Sequence, residues 1–134
     1  MGDLKYSWLS KADPVWAPIE QDCKDRFSVF WGLPPESLQE VWKSNPLVMP
    51  EGTPMDLDIR YQKIPMRDGH QAEIKIYKNA KVLEAMGERG QKAPLVLTAH
   101  GGGWIMGDHT VEEGVNRYTA KESGAVVVSV DYRL

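Results

Sequence analysis

Cysteine is almost absent. Cys23 is the only one among 134 residues, which excludes an intrachain disulfide and any metal site built on a cysteine cluster. Basic charge is not in surplus either: 16 Lys+Arg stand against 19 Asp+Glu, a formal charge of -3. Such a balance argues against nucleic acid as the main partner, because phosphates need an excess of positive charge to meet them. No apolar run approaches the ~18 residues of a membrane span. The amino terminus carries Asp3, Asp13, Pro14, Pro18 and Glu20 where a signal peptide would have an apolar core. Tyr6 stands where a myristoylation pattern starting at Gly2 would want Ser or Thr. A cytoplasmic protein is the expectation.

What is present is periodicity. Ile19, Cys23, Phe27 and Phe30 with Trp31 recur at helical spacing, and Gly32 with Pro34-Pro35 stops the run. Cys23 shares the stripe of Ile19 and Phe27, so it reads as a small core residue and not a nucleophile. A second helix fits Glu36 to Ser44, with Leu38, Val41 and Trp42 as its stripe. Trp8, Trp16, Trp31 and Trp42 all fall in this amino-terminal part. They read either as packing anchors or as the wall of an aromatic or acyl pocket. Asn45 to Met55, with Pro46, Pro50, Pro54 and Gly52, reads as an irregular connector.

Two strands follow, Leu57–Pro65 and Gln71–Lys78. In the second, Ala72, Ile74 and Ile76 alternate with Glu73, Lys75 and Tyr77, the pattern of a strand with one buried face. Asp68-Gly69 between them favours a hairpin turn, with His70 as an exposed turn residue. Residues 79–92 are polar and read as a surface loop, with at most a helical turn at Val82–Met86. Leu95-Val96-Leu97 and Val126–Val130 do not alternate, which suits parallel strands covered on both faces. Val111, Val115 and Tyr118 mark a helix between them, capped by Gly124. Strand, loop, helix and strand make a βαβ unit, and the fold class is α/β.

The chemistry lies in Thr98-Ala99-His100-Gly101-Gly102-Gly103-Trp104-Ile105-Met106-Gly107-Asp108. Three glycines at the end of a buried strand cost backbone entropy. They are useful where successive N–H groups converge on one anion or developing oxyanion. A phosphate loop would want Gly-Lys-Ser/Thr, and Trp104-Ile105 follows with no lysine in reach. A dinucleotide loop fails on its glycine spacing. Asp108, His109 and His100 read as a loop at the mouth of a site, with no metal, because no ligand spacing on one helix supports one.

His100-Gly101-Gly102-Gly103-Trp104, Gly107-Asp108 and the terminal Asp131-Tyr132-Arg133-Leu134 resemble the hormone-sensitive-lipase-like branch of the α/β-hydrolase fold. The resemblance is strong over Ala93–Leu134 and only positional over the amino-terminal helices. It implies an incomplete α/β-hydrolase core over residues 57–134, preceded by a helical cap segment over residues 1–56. It implies carboxylic-ester hydrolysis by a serine esterase or lipase, with no cofactor and a small-molecule ester as substrate. Gly102 and Gly103 match the oxyanion donors, and Gly101 permits the turn. His100 braces the loop with Trp104 and is not the triad base, while Asp131 and Tyr132 are structural residues behind the site.

The triad itself is missing from the pattern. No Gly-x-Ser-x-Gly occurs, and the nearest phrase, Lys121-Glu122-Ser123-Gly124-Ala125, ends a helix where a nucleophile elbow would open one. Two readings remain. One is the oxyanion-hole part of a serine esterase, inactive alone; the other is a non-catalytic hydrolase-like binding protein. Reading the nucleotide sequence in frame past Leu134 separates them. In the family's strand order the Leu95–Thr98 strand would have a further neighbour. Without it, that strand is an apolar edge, open to a complementary chain or to self-association.

Overall fold

A computed structural model describes residues 13–45 and 48–134. Trp8 and Pro46 lie outside the described residues. The chain divides into two compact units, Met1–Leu38 and Gln39–Leu134.

In the first unit, helix α1 (Ala17–Trp31) starts with a proline in its first turn, where a missing N–H costs nothing. Asp13 turns the chain into it, its carboxylate accepting from the Val15 N–H at 2.7 Å. The helix stops at Gly32, whose N–H returns to the Ser28 and Val29 carbonyls. Glu20–Lys24 and Asp22–Arg26 ion pairs, one helical turn apart, run along its surface. No α1 residue is buried. Cys23 is half-buried and Phe27 exposed, which corrects the expectation of a core cysteine. Helix α2 spans Pro35–Ser44.

The second unit is built on a mixed sheet of β1 (Asp58–Pro65), β2 (Gln71–Lys78), β3 (Leu95–Ala99) and β4 (Val126–Asp131), in the order β1-β2-β4-β3. The β1–β2 hairpin is antiparallel from Asp58↔Lys78 to Pro65↔Gln71. Gly69 at φ 84° makes its turn, and the Met66 N–H closes it on the His70 carbonyl at 2.7 Å. β4 runs antiparallel to β2 and parallel to β3. The connection from β3 to β4 passes through α4 (Glu113–Ser123), which ends at Gly124 with φ 67°. A side chain at Gly124 would also strike the Val82 side chain, 2.5 Å from where its Cβ would fall.

Four expectations change. Residues 80–88 form helix α3 (Ala80–Glu88), not a loop. Asn79 caps it by accepting from the Val82 N–H, a local signal the polar composition obscured. β2 is buried on both faces: Ala72 and Ile74 on one, Lys75 and Tyr77 on the other. The side expected to be wet lies under α4. The inner face of α4 is Glu113, Asn116 and Ala120, whereas Val115 and Tyr118 of the apolar stripe are exposed. The polar face wins because β2 offers it partners. Lys75 donates to the Glu113 carboxylate at 2.7 Å, Tyr77 donates to the same oxygen, and Arg117 holds the other at 2.7 Å. Lastly, β3 is not covered on both faces. Leu95 and Leu97 are 65% and 68% exposed, because β3 is the sheet edge and its outward face has no helix over it among the described residues.

The core of this unit is Tyr77, Ala120, Ala125 and Val127, with Leu57, Ile59 and Val96 packed around it. It is small. Burying one side chain of valine size stabilises by roughly 1.5–3 kcal/mol, so the ion-pair network around Glu113 matters for holding α4 in place.

Candidate functional site

The glycine loop leaves the carboxyl end of β3, where ligands bind in open α/β sheets. Its glycines differ in what they do. Gly101 has neither a positive φ nor a crowded Cβ position, so it is not the residue that permits the turn. Gly102 is. It lies at φ 143°, and a Cβ there would fall 1.8 Å from the Met106 carbonyl oxygen. Its own carbonyl accepts from the Ile105 and Met106 N–H groups at 3.3 and 3.2 Å. Gly103 follows at φ 62° in open space. Gly107, at φ 106°, packs so closely that a Cβ would sit 2.5 Å from both the Gly101 oxygen and His100 Nδ1.

The backbone donors divide in the same way. The Gly101 N–H donates to Glu112 Oε1 at 3.3 Å. Among the described residues, the Gly102 and Gly103 N–H groups have no protein acceptor. Two adjacent, unspent donors with no side chains between them can hold one oxyanion.

His100, Asp131 and Tyr132 come together behind the loop. His100 is 3% exposed. Its Nδ1 lies 2.9 Å from the Gly101 carbonyl oxygen, which can only accept, so Nδ1 carries the proton. Its Nε2 is 3.5 Å from Asp131 Oδ1. The Tyr132 ring stacks on the imidazole at 4.2 Å. Trp104 stands apart. It is 84% exposed, with φ 66°, a conformation costly for a residue with a Cβ. Among the described residues its indole does not pack into the loop, contrary to the role expected for it.

The far side of the loop is held by Asp108 and His109 of the motif region together with residues the sequence did not single out. Gln39 reaches the Gly107 carbonyl with its Nε2 at 3.5 Å. Asp108 accepts from the Thr110 N–H at 2.7 Å and from its hydroxyl at 2.6 Å. Burial alone would raise the Asp108 pKa, but bonds from Thr110 and Trp42 keep it below the ordinary carboxylate value. His109 is 6% exposed, with Nδ1 2.9 Å from Ser129 Oγ. Nothing in the spacing of Gln39, Glu112 or Ser129 marks them, because their partners are distant in sequence. Gly107 was visible in the motif, but its need for glycine was not. His70 is half-buried, not an exposed turn residue. It lines a cavity of about 550 Å³ with Met66, Ala72, Val130 and Tyr132, because the hairpin turn folds beside the end of β4.

Residues 96–134 match a family model described as alpha/beta hydrolase fold. Esterase LipI of Mycobacterium tuberculosis is 54% identical over 43 residues, covering 32% of this chain and 13% of that protein. A fungal esterase structure from Rhizomucor miehei superposes with a TM-score of 0.58 at 24% identity, over 76% of this chain and 30% of that one. The thermophilic carboxylesterase EstE1, cloned from a metagenomic library, gives a TM-score of 0.51 at 27% identity, over 77% and 32% of the two chains. Over residues 96–134 this chain therefore carries part of an α/β-hydrolase fold. It spans less than half the length of the proteins it matches. No described helix is long and apolar enough to cross a membrane.

Proposed function

We propose that this chain supplies the oxyanion-binding part of a serine carboxylic-ester hydrolase. The observation that carries the reading is the pair of unspent N–H groups at Gly102 and Gly103, at the carboxyl end of β3. In ester cleavage a nucleophile adds to the carbonyl carbon, and the carbonyl electron pair moves onto oxygen. The two donors stabilise that oxygen, each worth roughly 3–4 kcal/mol in the transition state. His100, stacked on Tyr132 and bonded through Nδ1 to the Gly101 carbonyl, keeps the loop in register and takes no proton from the nucleophile. Glu112 occupies the Gly101 N–H and so leaves the next two donors for substrate.

The nucleophile, the acid and the base are not among these residues: no Gly-x-Ser-x-Gly occurs in the 134. Alone, the chain has no ester turnover in this reading. The test is to express residues 1–134 together with the carboxyl-terminal part of a similar esterase that contains Gly-x-Ser-x-Gly, and to assay short p-nitrophenyl esters. Turnover by the pair and not by either part supports the proposal. A stable pair with no turnover favours the non-catalytic, binding alternative.

A further inference from the structure

The geometry points to the cavity beside the hairpin turn as a binding site for a small alkyl carboxylate. Its volume of about 550 Å³ falls within the roughly 300–1,000 Å³ of sites that bury small molecules. Ala72 and Val130 of the sheet line it, with Met66, His70 and Tyr132 around them. Its depth comes from one side chain. Ala72, Ile74 and Ile76 share a face of β2, and the first is an alanine where the next two are isoleucines. The volume that an isoleucine would fill at residue 72 is left open, inside a mostly apolar lining.

The charges around the cavity are unbalanced. Arg67, Asp68 and Arg133 belong to its lining, two guanidinium groups against one carboxylate. That carboxylate is already engaged. Asp68 Oδ1 accepts from the His70 N–H at 3.1 Å, and Oδ2 pairs with Arg133 Nη2 at 2.7 Å. The same ion pair ties the turn to the chain beyond β4, so the two sides of the cavity are held in place before anything binds. Arg67 is exposed and has no acidic partner among the described residues.

One positive charge in surplus beside an apolar interior selects a ligand with an alkyl body and a single negative charge. A carboxylate meets a guanidinium through two parallel N–H groups. An alcohol gains nothing from Arg67, and a doubly charged phosphate exceeds the surplus. Tyr132 is common to the cavity and the glycine loop. It lines the first, and it stacks on His100 and donates to the His100 carbonyl at the start of the second. An alkyl chain in the cavity thus lies against the residue that fixes where the loop begins.

Methionine-methyl NMR tests the site on the full 134-residue chain, with octanoate as the probe, kept below its micelle-forming concentration. The Met66 resonance, identified by its loss in Met66→Leu, should shift saturably with octanoate. Butyrate has the head with little tail, and octanol the tail with no charge; each should bind ~5-fold or more weakly. Arg67→Gln should weaken octanoate by ~5-fold and leave octanol unchanged. Ala72→Ile should fill the cavity and abolish the Met66 shift. A Met66 resonance unmoved at millimolar octanoate overturns the site. So does equal binding of octanol and octanoate, or an Ala72→Ile variant that folds and binds octanoate as before. If Ala72→Ile fails to fold, Arg67→Gln in the exposed turn decides: weaker octanoate with unchanged octanol supports the site, and unchanged octanoate overturns it.

Discussion

Tyr132 and His100 hold each other twice. Their rings stack at 4.2 Å and 9°, and the Tyr132 hydroxyl donates to the His100 carbonyl at 2.7 Å. The residue that follows β3 is thereby tied to the residue that follows β4. The glycine loop starts from that fixed point.

Tyr132→Phe keeps the stack and deletes the hydroxyl bond. The expected loss is about 1 kcal/mol of stability, with faster amide exchange at His100–Gly103 and little change in β1. Tyr132→Ala removes both contacts and should cost clearly more in the same denaturant titration.

Gly102→Ala and Gly103→Ala should differ. Both positions have positive φ, which costs an alanine roughly 1–2 kcal/mol. Only at Gly102 does the new Cβ also meet a backbone oxygen, at 1.8 Å. Gly102→Ala must therefore displace the loop. Thermal melts and loop amide exchange should find Gly103→Ala mild and Gly102→Ala severe; equal effects would refute the assigned difference.

In a completed enzyme, Gly103→Pro deletes one of the two N–H groups proposed to hold the oxyanion and cannot keep φ 62°. The expected loss in kcat is ~100-fold or more. His100→Ala should act more mildly, through loop order. Equal and complete loss in two well-folded variants would mean that His100 takes part in the chemistry.

Glu113 should contribute to the acid sensitivity of the fold. Burial alone would raise its pKa, but bonds from Lys75, Tyr77 and Arg117 hold it below the ordinary 4.5. A lowered carboxylate contributes stability above its unfolded value, and that contribution is lost as pH falls through the folded value. Glu113→Gln leaves Lys75 and Arg117 buried without their carboxylate, a cost of roughly 3–5 kcal/mol. Urea titrations at neutral pH should register that loss, and the acid-side decline below 4.5 should be shallower in the variant.

The β3 edge, with Leu95 and Leu97 exposed, invites pairing with another strand. We expect concentration-dependent self-association in light scattering, reduced by Leu97→Lys. A clean monomer at high concentration would remove this expectation.

By itself, the sequence determined the elements other than α3 (Ala80–Glu88), and the loop. The strict alternation of Ala72, Ile74 and Ile76, the Asp68-Gly69 turn and the Gly124 cap are local signals, and local backbone preferences are enough to read them. The run of glycines after His100 marked the candidate site for the same reason, since a run of glycines is itself a local backbone signal. Tertiary structure decided which faces are inside. Lys75, Tyr77 and Glu113 are polar or charged, and each alone would belong to solvent; together they satisfy one another and bury. The apolar Val115 and Leu97 stay exposed because nothing among the described residues lies over them. Gly102 and Gly107 likewise owe their need for glycine to the Met106 oxygen and the His100 ring. Burial and close approach are properties of pairs, and a pair distant along the chain exists only once the sheet has formed.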